Sequence, residues 1–444
     1  MLPRILDRIG FAAIVLLCSA AIASAQTYGN YAPYSIFGIG DFHQAGTAYN
    51  KSMGGVGIAG RDSRFINIIN PAAITARDTL TFMADFSLYA DNKVYSQGNM
   101  KSASNTFNIG DLVMSFPILS RNSAFFLGVA PLTGTGFNVG YNYSDPAIIG
   151  KTGPISYSAT GKGALYQAFL GAGATFFKRF SVGAEALYYF GRTEKEYTGT
   201  FANTSYSGVR NGYDMSLQAL TGKFGLQYEQ PVGARGIISV GATYSLDTDL
   251  AGYVEGYSFS TGGVAVDTLY HKVDTLLNTR KVRIAGELGV GIAFRYGDRF
   301  TFEFDYTRSD WTRSGMDSTP GFMGNTITTS SVSAFTNGVA EAFRVGVEYV
   351  PNRNDVRYYF NKVAYRGGAY YKKEYYKVDG HDIVSMGITL GATFPVVRLS
   401  NGITVGVEFG QRGSLTGNLI RERYCNFSVG FNIYDIWFQK NQYY

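Results

Sequence analysis

Histidine and cysteine are the side chains best suited to nucleophilic catalysis or metal binding, and this chain of 444 residues has three histidines and two cysteines. A hydrolase would need a serine and a histidine side by side on one wall of the protein. His43, His271 and His381 are scattered, and none occupies a predicted strand position beside a serine. They also lack the spacing of metal ligands. The sequence therefore predicts no enzyme activity, no metal site and no cofactor.

The balance of charged residues excludes a second class of function. Lys and Arg number 39 against 33 Asp and Glu, a formal net charge of +6. The excess is spread along the whole chain and forms no basic block, so no nucleic-acid partner is expected. At 16% charged residues, the chain is also too poor in charge to be disordered.

Charged residues recur instead on one face of alternating segments. Residues 282–294 show the pattern, with Arg283 and Glu287 on the glycine-rich parity. The opposite parity is apolar and consists of Val282, Ile284, Leu288, Val290, Ile292 and Phe294. Alternation is the period of a strand with two different faces. A lipid-facing side and a wet side would produce this pattern.

Fourteen such segments follow one another, and many have ten or more residues. They start near residues 79, 105, 124, 159, 180, 213, 237, 281, 300, 339, 358, 383, 402 and 423. A soluble β-sandwich is the alternative architecture, but its strands are usually about five or six residues long. Open strand edges cannot be satisfied in lipid, so the sheet must close. We predict an all-β fold, a transmembrane antiparallel β-barrel of about 14 strands over residues 79–444.

The predicted connections are short at one end of the barrel and long at the other. The short ones are 119–123, 178–179, 229–236, 297–299, 351–357 and 395–401, and the long ones are 91–104, 142–158, 194–212, 248–280, 309–337, 372–382 and 411–422. This is typical of barrels in the outer membrane of Gram-negative bacteria, with both termini on the periplasmic, short-turn side. Several aromatic residues are expected at the membrane interfaces. They are Tyr188, Tyr244, Tyr306, Trp311, Tyr349, Tyr371 and the closing Trp437 and Phe438.

The first 25 residues have the features of an export signal. Arg4 and Arg8 precede an apolar stretch at 11–17, and small residues at 23–25 offer a cleavage site. The apolar stretch is shorter than the ~20 residues that a spanning helix needs. We therefore assign residues 1–25 to a signal peptide.

Residues 26–78 lack the alternation and could hang in the periplasm or fold into the lumen. Their glycines favour the lumen, because a backbone without side chains can pack closely against the barrel wall. We predict a hatch that plugs the barrel. Its principal residues are Met53, Gly54, Gly55, Gly57, Asn70, Pro71 and Ala72.

Three short motifs carry a resemblance to a known family. They are MGGVGIA at 53–59, NPAAI at 70–74 and DTLTF at 78–82. Together they resemble the hatch and first strand of the FadL-like family, the long-chain fatty-acid and hydrocarbon transporters of Gram-negative outer membranes. Fourteen strands are also that family's number. The resemblance implies that a hydrophobic ligand is captured outside, passes to a pocket beside the hatch and leaves sideways through a gap at a kinked third strand.

The third predicted strand, 124–138, has residues that suit such a kink. Proline lacks a donor for the strand ladder, and glycine in a strand often marks a bend. A harmless bulge at the barrel rim is the alternative interpretation. The expected gate and ligand residues are Pro131, Leu132, Gly134, Gly136 and Phe137, with Leu132 and Phe137 as apolar edges.

The charges on the inward parity have mixed signs. Buried charges persist only when they are partnered, so we expect them to pair with one another and with Asp41, Arg61, Asp62 and Arg64 of the hatch. An open, general porin is the alternative. The expected pairing residues are Arg283, Glu287, Glu303, Asp305, Arg344, Glu348, Glu408 and Arg412.

These observations predict passive transport of hydrophobic small molecules, such as long-chain fatty acids or similar lipids. The expected partners are that hydrophobic ligand and the lipid of the outer membrane. A different function remains open. The chain could be a non-transporting barrel subunit of an outer-membrane assembly or secretion complex, with partner proteins.

Overall fold

The computed structural model describes residues 30–77, 80–118, 122–261, 273–276, 282–324, 335–396 and 401–436. The predicted signal peptide, His271, Trp437 and Phe438 lie outside these residues.

Fourteen antiparallel strands form one closed barrel. They are β1 (Thr81–Gln97), β2 (Met100–Pro117), β3 (Ser123–Gly134 and Phe137–Tyr143), β4 (Ile155–Phe176), β5 (Phe180–Phe201), β6 (Gly208–Val232), β7 (Gly236–Ser245 and Ala251–Thr261), β8 (Val273–Leu276 and Glu287–Tyr296), β9 (Phe300–Asp310), β10 (Phe335–Asn337 and Val339–Tyr349), β11 (Ala364–Val378), β12 (His381–Pro395), β13 (Gly402–Arg412) and β14 (Arg421–Ile436). The sheet closes where β1 pairs with β14, with Thr81 opposite Ile436. The predicted architecture and strand number are confirmed.

The two faces of the wall differ as the alternation predicts. On β8 the outward side chains of Leu288, Val290 and Ile292 are 45–52% exposed, whereas the inward Glu303 and Asp305 of β9 are 1% exposed. Apolar atoms open to the surroundings and carboxylates turned to the lumen are the arrangement of a transmembrane barrel.

Two residues of the alternating segment 282–294 depart from this pattern. Val282 and Ile284 are buried rather than lipid-facing. Arg283–Ile284 pairs with Thr248–Asp249 in a separate two-stranded sheet. The prediction that they face lipid was wrong. Alternation alone does not distinguish a barrel strand from a short strand that pairs outside the barrel sheet.

Three connections predicted as long loops are mostly strand. The 91–104 loop reduces to residues 98–99, the 194–212 loop to 202–207, and the 372–382 loop to Asp379 and Gly380. Both residues of the last turn have positive φ, 50° and 75°, as a two-residue hairpin turn requires. The strand ladder of these hairpins therefore extends beyond the segments in which the sequence alternation is clear.

The opposite end of the barrel carries the shorter turns, with one exception. Residues 350–363 include a 3₁₀ helix, Tyr359–Lys362, so the strand predicted to start near 358 begins only at Ala364. The remaining helices are short: α-helices Ala48–Lys51 and Pro146–Ile149, and 3₁₀ helices Pro33–Ile36, Pro71–Thr75, Met316–Ser318 and Thr416–Asn418. Of the helices described, none has the length and apolarity to cross a membrane.

Residues 30–77, here called the leading segment, contact the inward face of the wall from one end to the other. At the long-loop end the Tyr34 hydroxyl donates to the Ile420 carbonyl at 2.7 Å. At the short-turn end the Thr175 hydroxyl donates to that of Thr75 at 2.8 Å. The leading segment therefore runs through the lumen between the two ends.

Candidate functional site

The wall is interrupted between β2 and β3. Their ladder runs from Pro117 opposite Ala124 to Leu112 opposite Val129 and stops there. Beyond that point β2 continues with β1, and β3 continues with β4. The edge of β3 that faces β2 is therefore left open from Ala130 onward.

The leading segment takes the place of β2 along this open edge. Its short strand Asp41–Phe42 pairs with Gly134 and Thr133 of β3 in antiparallel register. The His43 amide donates to the Leu132 carbonyl at 3.0 Å, and the Ala32 amide donates to the Gly136 carbonyl at 2.8 Å. Strand addition of this kind satisfies backbone groups that lipid cannot. We call residues Ala32–His43 the loop-end anchor.

Two positions on β3 require glycine because the leading segment lies so close to the strand there. A Cβ on Gly136 would overlap the carbonyl oxygen of Asn30, and one on Gly134 would lie 2.6 Å from the Asn30 Cβ. Pro131 lies at a shift in the β3–β4 register. Pro131, Gly134 and Gly136 therefore lie along the edge of β3 that β2 leaves open.

Phe137 does not lie where the sequence placed it. Its side chain is 0% exposed and packs with Ala159 and Tyr197 inside the barrel. A Cβ on Gly161 would overlap its ring, so the missing side chain of that glycine makes room for it. The expectation that Phe137 forms an apolar edge of a gap was wrong, because its ring packs against side chains of the wall and Ile36 of the leading segment.

A cavity of about 430 Å³ lies between the leading segment and the wall, beside this interruption. Its side toward β3, β4 and β5 has an apolar patch of Ala130, Leu132, Phe169 and Leu187, together with the polar Gln167 and Glu185. Much of the remaining lining is charged. It includes Lys51, Lys93, Lys372, Arg344, Glu287 and Glu408. The cavity therefore offers an apolar patch and charged groups to the same occupant.

His43 lines this cavity next to the interruption. The Tyr89 hydroxyl lies 3.2 Å from its Nδ1. Burial lowers the pKa of His43 to about 4, although Asp91 and Asp41 favour its protonation. The imidazole is therefore neutral near pH 7 and suits an apolar setting.

A second group of contacts fixes the leading segment toward the short-turn end. The Asp305 carboxylate accepts hydrogen bonds from the amides of Gly57 and Ile58 at 2.7 and 2.9 Å. The Gly54 amide donates to the Thr389 hydroxyl at 2.8 Å. We call residues Gly54–Thr75 the turn-end anchor.

The glycines and the NPA motif of the leading segment make this contact possible. Gly54 has a φ of +74°, and a Cβ there would lie 2.7 Å from the Val345 carbonyl oxygen. Asn70 accepts a hydrogen bond from the Ala72 amide at 3.0 Å and so caps the helix Pro71–Thr75. Its amide also donates to the Ile58 carbonyl at 2.7 Å. The other residues of the predicted hatch, Met53, Gly55, Gly57, Pro71 and Ala72, are likewise buried.

Buried charges reinforce the turn-end anchor. Arg64 forms ion pairs with Asp62 and with Glu348 of β10. Glu348 also accepts from Arg366 at 2.8 Å. The Arg366 guanidinium lies 4.5 Å from the ring centroid of Tyr49, which gives a cation–π contact.

One ion pair of the predicted set belongs to the loop end. Arg412 pairs with Asp41 of the leading segment and, at 2.7 Å, with Glu422. Burial by itself would raise the pKa of Asp41. The charges of Arg412 and Lys93 outweigh it and hold the pKa of that carboxyl below its usual range.

The other predicted pairing residues have different partners. Arg283 pairs with Asp249 at 3.2 Å, away from the leading segment. Arg344 donates to the Thr307 hydroxyl at 3.2 Å, and Glu408 accepts from the Tyr370 hydroxyl and the Asn426 amide. Within the described part of the chain, Glu287 and Glu303 show no ion pair.

Arg61 of the leading segment also forms an ion pair with the wall. Its Nε lies 3.0 Å from a carboxylate oxygen of Glu229 on β6. This pair belongs to the turn end of the leading segment.

Sequence reasoning missed Lys195. It is 0% exposed, and its Nζ donates to the carbonyls of Ile36, Gly38 and Gly321 at 2.8–3.0 Å. It therefore ties the loop-end anchor to a loop of the wall. The only signal was a lysine within a polar strand extension, which looks like any solvated residue.

Trp311 was expected at a membrane interface but lies in the core. It is 5% exposed and packs edge-on against Phe42, with the Tyr375 ring 4.6 Å away. It follows the last residue of β9, where the chain folds inward over the loop-end anchor. The interface placement of Trp311 was wrong for this reason.

A family comparison matches nearly the whole sequence. The model of the family BamG covers residues 7–444. The chain belongs to the BamG family. No curated protein sequence matches this BamG-family chain.

Several solved structures share the fold of this BamG-family chain, although their sequence identity to it is low. The toluene transporter TodX of Pseudomonas putida matches with a TM-score of 0.59 at 14% identity, over 90% of this chain and 100% of that one. A FadL homologue of Pseudomonas aeruginosa gives 0.54 at 13%, over 89% and 98%. The toluene transporter TbuX of Ralstonia pickettii gives 0.53 at 14%, over 88% and 98%. The predicted FadL-like barrel is thus confirmed as a fold, and none of these three proteins is named as an enzyme.

Proposed function

We propose that this barrel lies in the outer membrane of a Gram-negative bacterium, with both termini periplasmic, and passively transports hydrophobic small molecules. Residues 26–78 act as the hatch. The proposed cargo is amphiphilic, a long-chain fatty acid or a similar lipid. It leaves the cavity sideways between β2 and β3 when the loop-end anchor releases the edge of β3.

The interruption of the wall beside the cavity is the observation that carries this proposal. The apolar chain of a lipid suits the patch formed by Ala130, Leu132, Phe169 and Leu187, and its polar head suits the charged groups. A sideways exit spares the apolar chain from water, which costs about 25 cal/mol per Å² of exposed apolar area.

A reversible lock on the loop-end anchor tests the route. Phe42 and Thr133 are directly opposed in the antiparallel register. Such pairs have Cβ atoms roughly 4.5–5.5 Å apart, close enough for an engineered disulfide after small adjustment. Phe42→Cys with Thr133→Cys, in a Cys425→Ser background, should abolish uptake of a labelled long-chain fatty acid when oxidised and restore it on reduction.

The matched control is a disulfide in an intact part of the wall. Val290 and Ala242 are opposed on β8 and β7. Val290→Cys with Ala242→Cys should leave uptake unchanged in both redox states. Equal uptake by the oxidised and reduced forms of the lock at β3 would contradict a route that requires release of the anchor.

A non-transporting subunit of an outer-membrane complex is the second candidate, and a different observation favours it. The long-loop end is closed by a packed apolar layer in which Tyr34, Phe37 and Ile39 are at most 8% exposed. Phe37 stacks on Phe335 with ring centroids 5.2 Å apart. A barrel closed this tightly at one end suits a scaffold. The same closure argues against an open porin.

Purification in detergent separates the two candidates. A transporter should be isolated as a single chain that binds a labelled fatty acid. A complex subunit should be recovered with stable partner proteins and should bind no fatty acid. Binding by the purified chain together with loss of binding in Leu132→Asp, but not in Leu132→Met, would favour transport.

A further inference from the structure

The turn between β10 and β11 is longer than other described turns at its end of the barrel, such as 177–179 and 297–299. Residues 351–362, here called the aromatic turn, present large apolar side chains to the surroundings. Val356 is 93% exposed, Phe360 69% and Tyr358 66%. Exposed apolar groups this prominent, gathered in one short segment, usually mark a binding surface.

The aromatic turn has a defined fold of its own. Asp355 accepts hydrogen bonds from the amides of Arg357 and Tyr358 at 2.7 and 2.9 Å, and from the Asn361 side chain at 2.6 Å. The Asn352 amide donates to the Asn361 carbonyl at 2.8 Å. The apolar side chains are therefore held outward by a hydrogen-bonded loop.

Two tyrosines place the turn against the rim of the lipid-facing wall. The Tyr365 hydroxyl donates to the Phe360 carbonyl at 3.2 Å, and Tyr365 lies opposite the outward Tyr349 in the β10–β11 register. The Tyr359 hydroxyl donates to the Pro395 carbonyl at the end of β12 at 2.9 Å. The aromatic turn thus continues the outward face, where Tyr349 and Tyr365 are 51% and 40% exposed.

The charged groups that the turn can offer to a partner are basic. They are Arg357 and Lys362, whereas Arg353 is partly buried near Asp62 and Asp298, and the single acidic residue, Asp355, is engaged in holding the loop. Basic groups beside exposed aromatic rings suit the boundary between lipid headgroups and acyl chains, where phosphates accept hydrogen bonds and rings are half-immersed.

We propose that the aromatic turn is a lipid anchor that inserts Val356, Tyr358 and Phe360 into the phospholipid headgroup layer at the short-turn end of the barrel. It gives the barrel a fixed depth and orientation next to β10–β12. This role is separate from transport and does not depend on any cargo.

The test uses the full chain in vesicles of phosphatidylethanolamine and phosphatidylglycerol. An environment-sensitive nitrobenzoxadiazole dye is attached to Phe360→Cys in a Cys425→Ser background. Phe360 is largely exposed, so the change leaves the fold intact. The dye should emit at shorter wavelength, be quenched by lipids spin-labelled near the headgroup and be protected from aqueous iodide.

Asn354→Cys provides the matched control, because Asn354 is an exposed polar residue of the same turn. A dye there should be quenched by iodide and little affected by spin-labelled lipid. Equal iodide quenching at both positions would overturn the proposal. Protection of the Phe360 position in native outer-membrane fragments but not in the vesicles would also overturn it, because the occupant would then be a protein.

Discussion

The two anchors of the leading segment hold it to the wall by different physical means. The turn-end anchor uses buried charges and backbone amides on carboxylates, as at Arg64–Glu348 and Asp305. The loop-end anchor relies mainly on strand pairing with β3 and packed aromatic rings, with Lys195 on three carbonyls and one buried ion pair, Arg412–Asp41. A buried ion pair is costly to break on one side, whereas an added strand can leave and be replaced by another. The turn end should therefore be harder to release than the loop end, whose release must also break the Arg412–Asp41 pair.

Breaking the ionic anchor should have the largest effect of any single substitution. Arg64→Met removes the ion-pair partner of Asp62 and one of the two partners of Glu348, which keeps Arg366, and should lower the free energy of unfolding by about 3–5 kcal/mol. Urea unfolding in lipid vesicles measures it. Asp214→Asn breaks the exposed Arg192–Asp214 pair and serves as the control, with a far smaller effect expected. Equal losses would remove the distinction between buried and surface pairs.

Reversing the polarity of the wall should come next. Val290→Arg places a charge on the lipid face and should cost about 2–4 kcal/mol at mid-bilayer. Ser245→Arg places the same charge in the lumen cavity, near Glu287, and should be tolerated. Assembly of each variant into vesicles can be followed by heat-modifiable migration on gels. Similar failure of both variants would contradict the assignment of faces.

Crowding the loop-end anchor should loosen it without unfolding the barrel. Gly136→Ala introduces a methyl group where Asn30 lies, whereas Gly140→Ala on the same strand meets nothing closer than 3.7 Å. A cysteine at Ala32, which is 0% exposed, should react with maleimide several-fold faster in the first variant. An unchanged rate would mean that this contact does not hold the anchor.

Acidification should weaken the same anchor slightly. The pKa of His43 is lowered from 6.5 to about 4 by burial, so the unfolded chain binds a proton more readily than the folded one between these values. Stability contributed by the neutral ring is present at neutral pH and is lost as the pH falls from about 6.5 toward 4. Membrane conductance should rise over this range, and His43→Asn should remove the rise. An identical pH profile in both proteins would exclude His43 as the cause.

The sequence predicted the barrel well because lipid on one side and water on the other impose a strict period on every strand. The parity of Leu288, Val290 and Ile292 follows from that constraint, whereas the expectation of a kink at Pro131–Gly136 came from its proline and glycines. The burial of Phe137 and of Trp311 was not predictable in this way, because both side chains pack against the leading segment. Lys195 was missed for the same reason, since its partners are backbone carbonyls that no residue pattern reveals.

Single-channel conductance tests the central statement most directly, which is that the leading segment closes the lumen. Deletion of residues 27–75 should convert a protein that carries little current in planar bilayers into an open channel with a large, stable conductance. The intact chain and the Gly140→Ala variant provide the baseline. A deletion protein that assembles in the membrane and conducts no more than the intact chain would contradict the account.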